Sequence, residues 1–168
     1  LDAFINIDNL LINISLNAPK IYSIDKENGF LLLEDLGDNL FSKVLNTNNE
    51  ESLYKKAIDI LIYLHDRNIN QFTKNNLVEN YSVEKLISES ELFIEWYIKR
   101  HLNVKINENQ INEFKEIFFK IITSLKLKHN TLVLRDFHVD NLVLQHSKSG
   151  LCQVGLLDFQ DAVLGQSS

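Results

Sequence analysis

Three side chains near the end of the sequence have the types and spacing that chemistry on phosphate needs: Asp136, Asn141 and Asp158. The first two stand as Asp-x-x-x-x-Asn, so one loop carries both a carboxylate and an amide. Phosphoryl transfer needs an acceptor hydroxyl oriented by a carboxylate, and divalent ions that neutralise the phosphates. Asp136 has the chemistry for the first task. Asn141 and Asp158 offer hard oxygens for Mg²⁺, which uses one or two carboxylates and relies on substrate phosphates for the rest. A metal-dependent hydrolase built on Asp136, His138, Asp140 and Asp158 draws on overlapping residues, and both readings are open at this point.

Rigid elements have to hold these groups. Leu132-Val133-Leu134, Leu142-Val143-Leu144 and Val154-Gly155-Leu156-Leu157 are short apolar runs bounded by turn residues, the pattern of buried strands. Asp136 and Asp158 follow the first and third runs and Asn141 precedes the second. All three are therefore expected at strand ends, clear of the core. Gly165 is expected in a turn.

Upstream, Phe4, Leu10, Leu11 and Ile14 keep a helical period that ends near Pro19, with Asp2 and Asp8 expected on its solvated face. Residues 20–24 and 30–33 read as two strands joined by a hairpin turn. Glu34-Asp35-Leu36-Gly37-Asp38 then leads into a helix start at Asp38-Asn39-Leu40-Phe41. Residues 47–50 have capping-box spacing. They precede a helix whose Leu53, Ala57, Ile58, Ile60, Leu61 and Leu64 share a face. His65 at its end suits the helix dipole. Residues 88–91 read as a second capping box, opening a helix with Leu92, Phe93, Trp96 and Tyr97 as a core stripe. Ile111, Phe114, Ile117, Phe118, Ile121 and Leu125 mark a last amphipathic helix, closed by Lys126, Lys128 and His129.

Residues 134–141, LRDFHVDN, and 157–161, LDFQD, resemble the aminoglycoside phosphotransferase and choline kinase family, whose fold is protein-kinase-like. Acid, asparagine and a following Asp-Phe are spaced as in a kinase catalytic loop and its metal-binding segment. A closer similarity is to the bacterial cell-wall sugar kinases acting on N-acetylmuramate or N-acetylglucosamine. There, the stretches found here as LLLEDLGD (31–38) and DFQDAV (158–163) occur together. The resemblance covers most of the chain from about residue 4 onward.

The resemblance implies an α+β, protein-kinase-like architecture. Residues 1–37 would form an incomplete small β lobe and hinge. Residues 38–168 would form a mainly helical large lobe, with a helical insert at about 71–130 lining the acceptor cleft and catalytic and metal-binding hairpins at 131–165. It implies Asp136 as the catalytic base, Asn141 and Asp158 as ligands of Mg²⁺, and ATP as cofactor. Adenine would meet the Glu34 carbonyl and the Leu36 amide, with Leu33 at the back of the pocket. The implied partner is a small-molecule sugar or amino sugar; the cytoplasm is the compartment expected from composition, with a single cysteine and no apolar run of membrane-spanning length. The alternative is a kinase-like remnant without catalysis that binds nucleotide or a protein partner.

Some features depart from the family pattern. Leu134-Arg135 stands where many aminoglycoside kinases have His-Gly. None of the five glycines builds a phosphate-covering loop, and no strand-borne lysine precedes the first helix. With no methionine and an opening at Leu1 directly before a helical pattern, the sequence reads as one whose N-terminus is lost, and its Gln-Ser-Ser ending reads as a cut. His138 is expected to make a loop hydrogen bond. Asp161 is expected to be either a second metal-side carboxylate or a turn acid.

Composition bounds the rest. A chain of 168 residues, 45% hydrophobic, can form one sizeable core. A net charge of −6 and a pI near 5.3 disfavour nucleic acid, whose phosphates select basic surfaces. No apolar run approaches the ~20 residues of a membrane span. Cys152 is the only cysteine, which excludes an internal disulfide.

Overall fold

The apolar runs become strands, paired two by two. The computed structural model describes residues 1–67, 78–128 and 130–166. β1 (Ile21–Asp25) and β2 (Phe30–Leu33) form an antiparallel hairpin. β3 (Thr131–Val133) pairs antiparallel with β6 (Val163–Gly165), and β4 (Leu142–Leu144) pairs antiparallel with β5 (Val154–Leu156). Among the described residues the α-helices are α1 (Asp2–Asn13), α2 (Phe41–Val44), α3 (Glu50–His65), α4 (Val83–Leu92) and α5 (Glu108–Ser124). A π-helical segment, Phe93–His101, continues α4. This is an α+β chain. It divides into two compact units, one of Leu1–Glu79 with Asn130–Ser168, the other Asn80–His129.

The first unit is assembled around the β4–β5 hairpin. Both hairpin edges are covered, which removes the unpaired backbone that makes sheet edges sticky. On one side Leu40 bridges to Val143 and the Leu144 amide donates to the Asn39 carbonyl at 2.8 Å. On the other, Asn17 bridges to Gly155 and the Leu156 amide donates to the Asn17 carbonyl at 2.8 Å. A Cβ on Gly155 would stand 2.7 Å from Leu36 Cδ1, so the Leu36 side chain would have to shift to admit one. Phe41, Ile60, Leu64, Val143 and Val154 are fully enclosed. Thr131 Oγ1 donates to the Leu64 carbonyl at 3.1 Å and the Tyr63 hydroxyl to the Ile14 carbonyl at 2.6 Å. Helix α3 is thereby fixed to both β3 and the end of α1.

Several expectations change. Gly165 is not in a turn: it ends β6, opposite Thr131, because the last apolar run pairs back onto β3. Residues 47–50 form no capping box, since α3 starts at Glu50 with Asn49 before it. The Asn49 side chain is instead used by the preceding turn, accepting from the Asn46 amide at 2.8 Å. Asp2 is solvated and pairs with Lys26, but Asp8 is buried at 1% exposure with neither carboxylate oxygen hydrogen-bonded.

The second unit departs further. α4 begins at Val83, where Ser82 Oγ accepts from the Lys85 amide at 3.2 Å. Ser88 and Ser90 lie inside the helix and donate back to the carbonyls of Lys85 and Ile87, so residues 88–91 open nothing. The capping box belongs to α5, between Asn107 and Gln110. Leu92, Phe93, Trp96 and Tyr97 are exposed rather than core, Trp96 at 58%. The rings stack on one another instead: Phe93 on Tyr97 and Phe114, and Phe114 on Phe118. Residues 71–77 of the expected insert, and His129, lie outside the described residues.

Candidate active site

Two strained backbone positions frame the site. After β3 the chain reverses at Arg135, whose φ is 65°, with the Asp136 amide donating to the Leu134 carbonyl at 2.9 Å across it. After β5, Asp158 itself has φ 55°. Left-handed backbone at a non-glycine residue costs on the order of 1–3 kcal/mol and concentrates where a side chain must be aimed. Here it aims Asp136 and Asp158, both exposed.

Asn141 joins the two. It ends a short 3₁₀ turn, Val139–Asn141, its own amide donating to the His138 carbonyl at 2.9 Å and its carbonyl accepting from the Leu157 amide at 2.9 Å. Its side-chain Nδ2 donates to the Asp136 carbonyl at 2.9 Å and lies 3.4 Å from Asp158 Oδ2 and 3.2 Å from His138 Nε2. One side-chain amide thus ties the loop after β3 to the turn after β5. With Nδ2 committed, Oδ1 is left without a protein donor among the described residues. Gln160 Nε2 donates to Asp158 Oδ1 at 2.7 Å. Below, a small cleft is lined by Leu134, Phe137, Leu142, Leu156 and Phe159. Phe159 is buried and stacks on Phe4 of α1, ring centroids 5.0 Å apart.

The donor set fits Mg²⁺ in its usual manner. Asn141 Oδ1 and the Asp158 carboxylate are hard oxygens on facing loops, and phosphate oxygens and water would complete the octahedron. Among the described residues no group of three or more His, Cys, Asp or Glu side chains is placed to hold a metal. The cluster required by the hydrolase reading is therefore not formed. His138 is used within its own loop, where Nδ1 accepts from the Asp140 amide at 3.3 Å.

The segment after β2 is held from beneath. The Glu34 amide donates to the Lys20 carbonyl at 2.8 Å, and Glu34 Oε2 accepts from the Lys20 amide at 3.2 Å. Leu36 is buried, and its carbonyl accepts from the Gln145 side chain beyond β4. The Gly37 amide donates to Asp35 Oδ1 at 2.7 Å. Among the described residues no protein hydrogen bond uses the Glu34 carbonyl or the Leu36 amide, and Leu33 is half-buried.

Gln145, Gln160 and Asn17 escaped sequence reasoning, and Asp8, expected on a solvated helix face, is buried. A glutamine in a loop carries no pattern, and Asn17 and Asp8 gain meaning only from what folds over them.

The phosphotransferase enzyme family matches this chain over residues 1–166. The N-acetylmuramate/N-acetylglucosamine kinase of Pseudomonas aeruginosa is 32% identical over 162 residues, covering 96% of this chain and 45% of that protein. That of Pseudomonas putida is 33% identical with the same coverage, and that of Caulobacter vibrioides 30% identical over 168 residues, 97% of this chain and 46% of that protein. The chain spans less than half the length of the curated relatives it matches.

Proposed function

This chain belongs to the phosphotransferase enzyme family, and from that premise we propose that it carries the catalytic and metal side of an ATP-dependent small-molecule kinase. The fold is then protein-kinase-like, with β1, β2 and α1 as elements of the small lobe and residues 34–37 as the hinge. Asp136 orients the acceptor hydroxyl and takes up its proton. Asn141 Oδ1 and Asp158 hold Mg²⁺, which when bound neutralises charge on the ATP phosphates. The Glu34 carbonyl and Leu36 amide bind the edge of the adenine, with Leu33 behind it. The acceptor is an amino sugar such as N-acetylmuramate or N-acetylglucosamine, as the names of the relatives suggest. The cytoplasm is the compartment in which ATP and such an acceptor meet. Among the described residues no helix is long and apolar enough to cross a membrane.

The observation that carries this reading is the Asn141 side chain, which links the Asp136 loop to Asp158 and leaves its own oxygen for a metal. Titration calorimetry on the chain and on Asp158→Ala, with adenosine and with ATP plus Mg²⁺, tests it. ATP binding is expected to fall at least about tenfold, the scale of a weakened metal site, with adenosine binding unchanged. Equal losses for the two ligands would reject the metal assignment. Intact nucleotide binding without phosphate transfer to either sugar, in a version as long as the relatives, would favour the remnant that binds nucleotide only.

A further inference from the structure

We infer that Gln160 is a positioning residue for Asp158, an inference that rests on the metal role proposed above. Its side-chain amide donates to Asp158 Oδ1 at 2.7 Å, while Asn141 Nδ2 lies 3.4 Å from Oδ2. The carboxylate is bracketed by two amides, one from its own turn and one from the loop before β4.

The bracket answers a physical need. Asp158 is exposed, so burial does not select its rotamer. The stack of Phe159 on Phe4 anchors the backbone of the turn but not the torsion of the carboxylate before it. A hydrogen bond to an ionised acceptor is about twice as strong as a neutral one, and the half-buried Gln160 supplies it over one intervening residue. With Oδ1 held, Oδ2 is the oxygen turned to Asn141, whose free Oδ1 is the second proposed ligand. A ligand held by an outer hydrogen bond loses less rotamer freedom when metal binds. In an Asp-Phe-Gly segment the third residue has no side chain for this task.

The test uses Gln160→Leu and Gln160→Ala in the full chain, two variants that remove the same donor with different bulk. In metal-free protein the Hα–Hβ couplings of Asp158 report its χ1 torsion by nuclear magnetic resonance. They are expected to show one dominant rotamer in the unsubstituted chain and averaging in both variants. Mn²⁺ affinity in the presence of ATP, read by water-proton relaxation, is expected to weaken about tenfold in both, the effect of losing an outer-shell partner, at unchanged melting temperature. Unaltered couplings, or unaltered Mn²⁺ affinity beside a weakened Asp158→Asn control, would overturn the inference. Should Asp158→Asn itself bind Mn²⁺ as the unsubstituted chain does, the metal role falls, and the couplings alone decide whether Gln160 holds the carboxylate.

Discussion

In α3 the apolar face of Leu53, Ala57, Ile60 and Leu64 lies within the core, whereas α4 buries no residue and α5 only Ile122. All three helices show helical spacing of apolar residues in the sequence. The difference lies in what they meet. α3 is fixed to β3 through Thr131 and joins a cluster that includes Phe41, Leu132 and Phe159. The second unit has two helices and a π-helical segment, joined by stacked rings and by surface ion pairs such as Lys115 with Glu91 at 2.7 Å. A helical period reports which residues share a face; it does not say that the face has a partner. The hairpins of the first unit repeat the contrast. β4–β5 is enclosed on both edges, while β1–β2 leaves Phe30 68% exposed.

Truncating one large ring in each unit sharpens this comparison most. Phe41, at 0% exposure, is expected to cost about 3–5 kcal/mol as Phe41→Ala. Trp96→Ala, losing an exposed ring beneath the Arg100 guanidinium, is expected to cost about 1 kcal/mol. Urea unfolding of both variants measures the difference, and equal losses would show that the Trp96 face is covered in solution.

Asp8 is the exception inside the well-packed unit, and removing its charge should improve that unit. Burial alone raises its carboxyl from the ordinary 3.8 to about 6. A group held above its unfolded value favours folding while protonated. Its contribution is complete below pH 3.8 and is lost as the pH rises through about 6. Asp8→Asn is therefore expected to raise stability at pH 7 by up to about 3 kcal/mol, with the gain closing towards pH 4. Thermal melts of both chains across pH 4–8 check this. A constant difference across that range would mean that Asp8 is paired or hydrated.

The smallest effect belongs to the second unit. Glu91→Gln breaks the Lys115 pair between two half-exposed side chains. It is expected to lower stability by about 0.2–1 kcal/mol at low salt and by less in 1 M NaCl. A larger, salt-independent loss would indicate that the pair is shielded from water.

The sequence by itself determined the elements that carry the site. The runs before Asp136 and Asp158 and after Asn141 are strands because short β-branched and leucine runs between turn residues have few other stable arrangements. The five-residue step put Asp136 and Asn141 on one loop. Which groups meet was decided only in three dimensions. That Asn141 reaches Asp158, that Gln145 holds the Leu36 carbonyl, and that Gly155 makes room for Leu36 all depend on chain segments separated in sequence. Burial was decided there too: Asp8, expected on a solvated face, is enclosed, and Trp96, expected in a core stripe, is open. Local spacing fixes torsions and faces over one or two turns. Enclosure and hydrogen-bond partners depend on distant segments, whose approach no local pattern encodes.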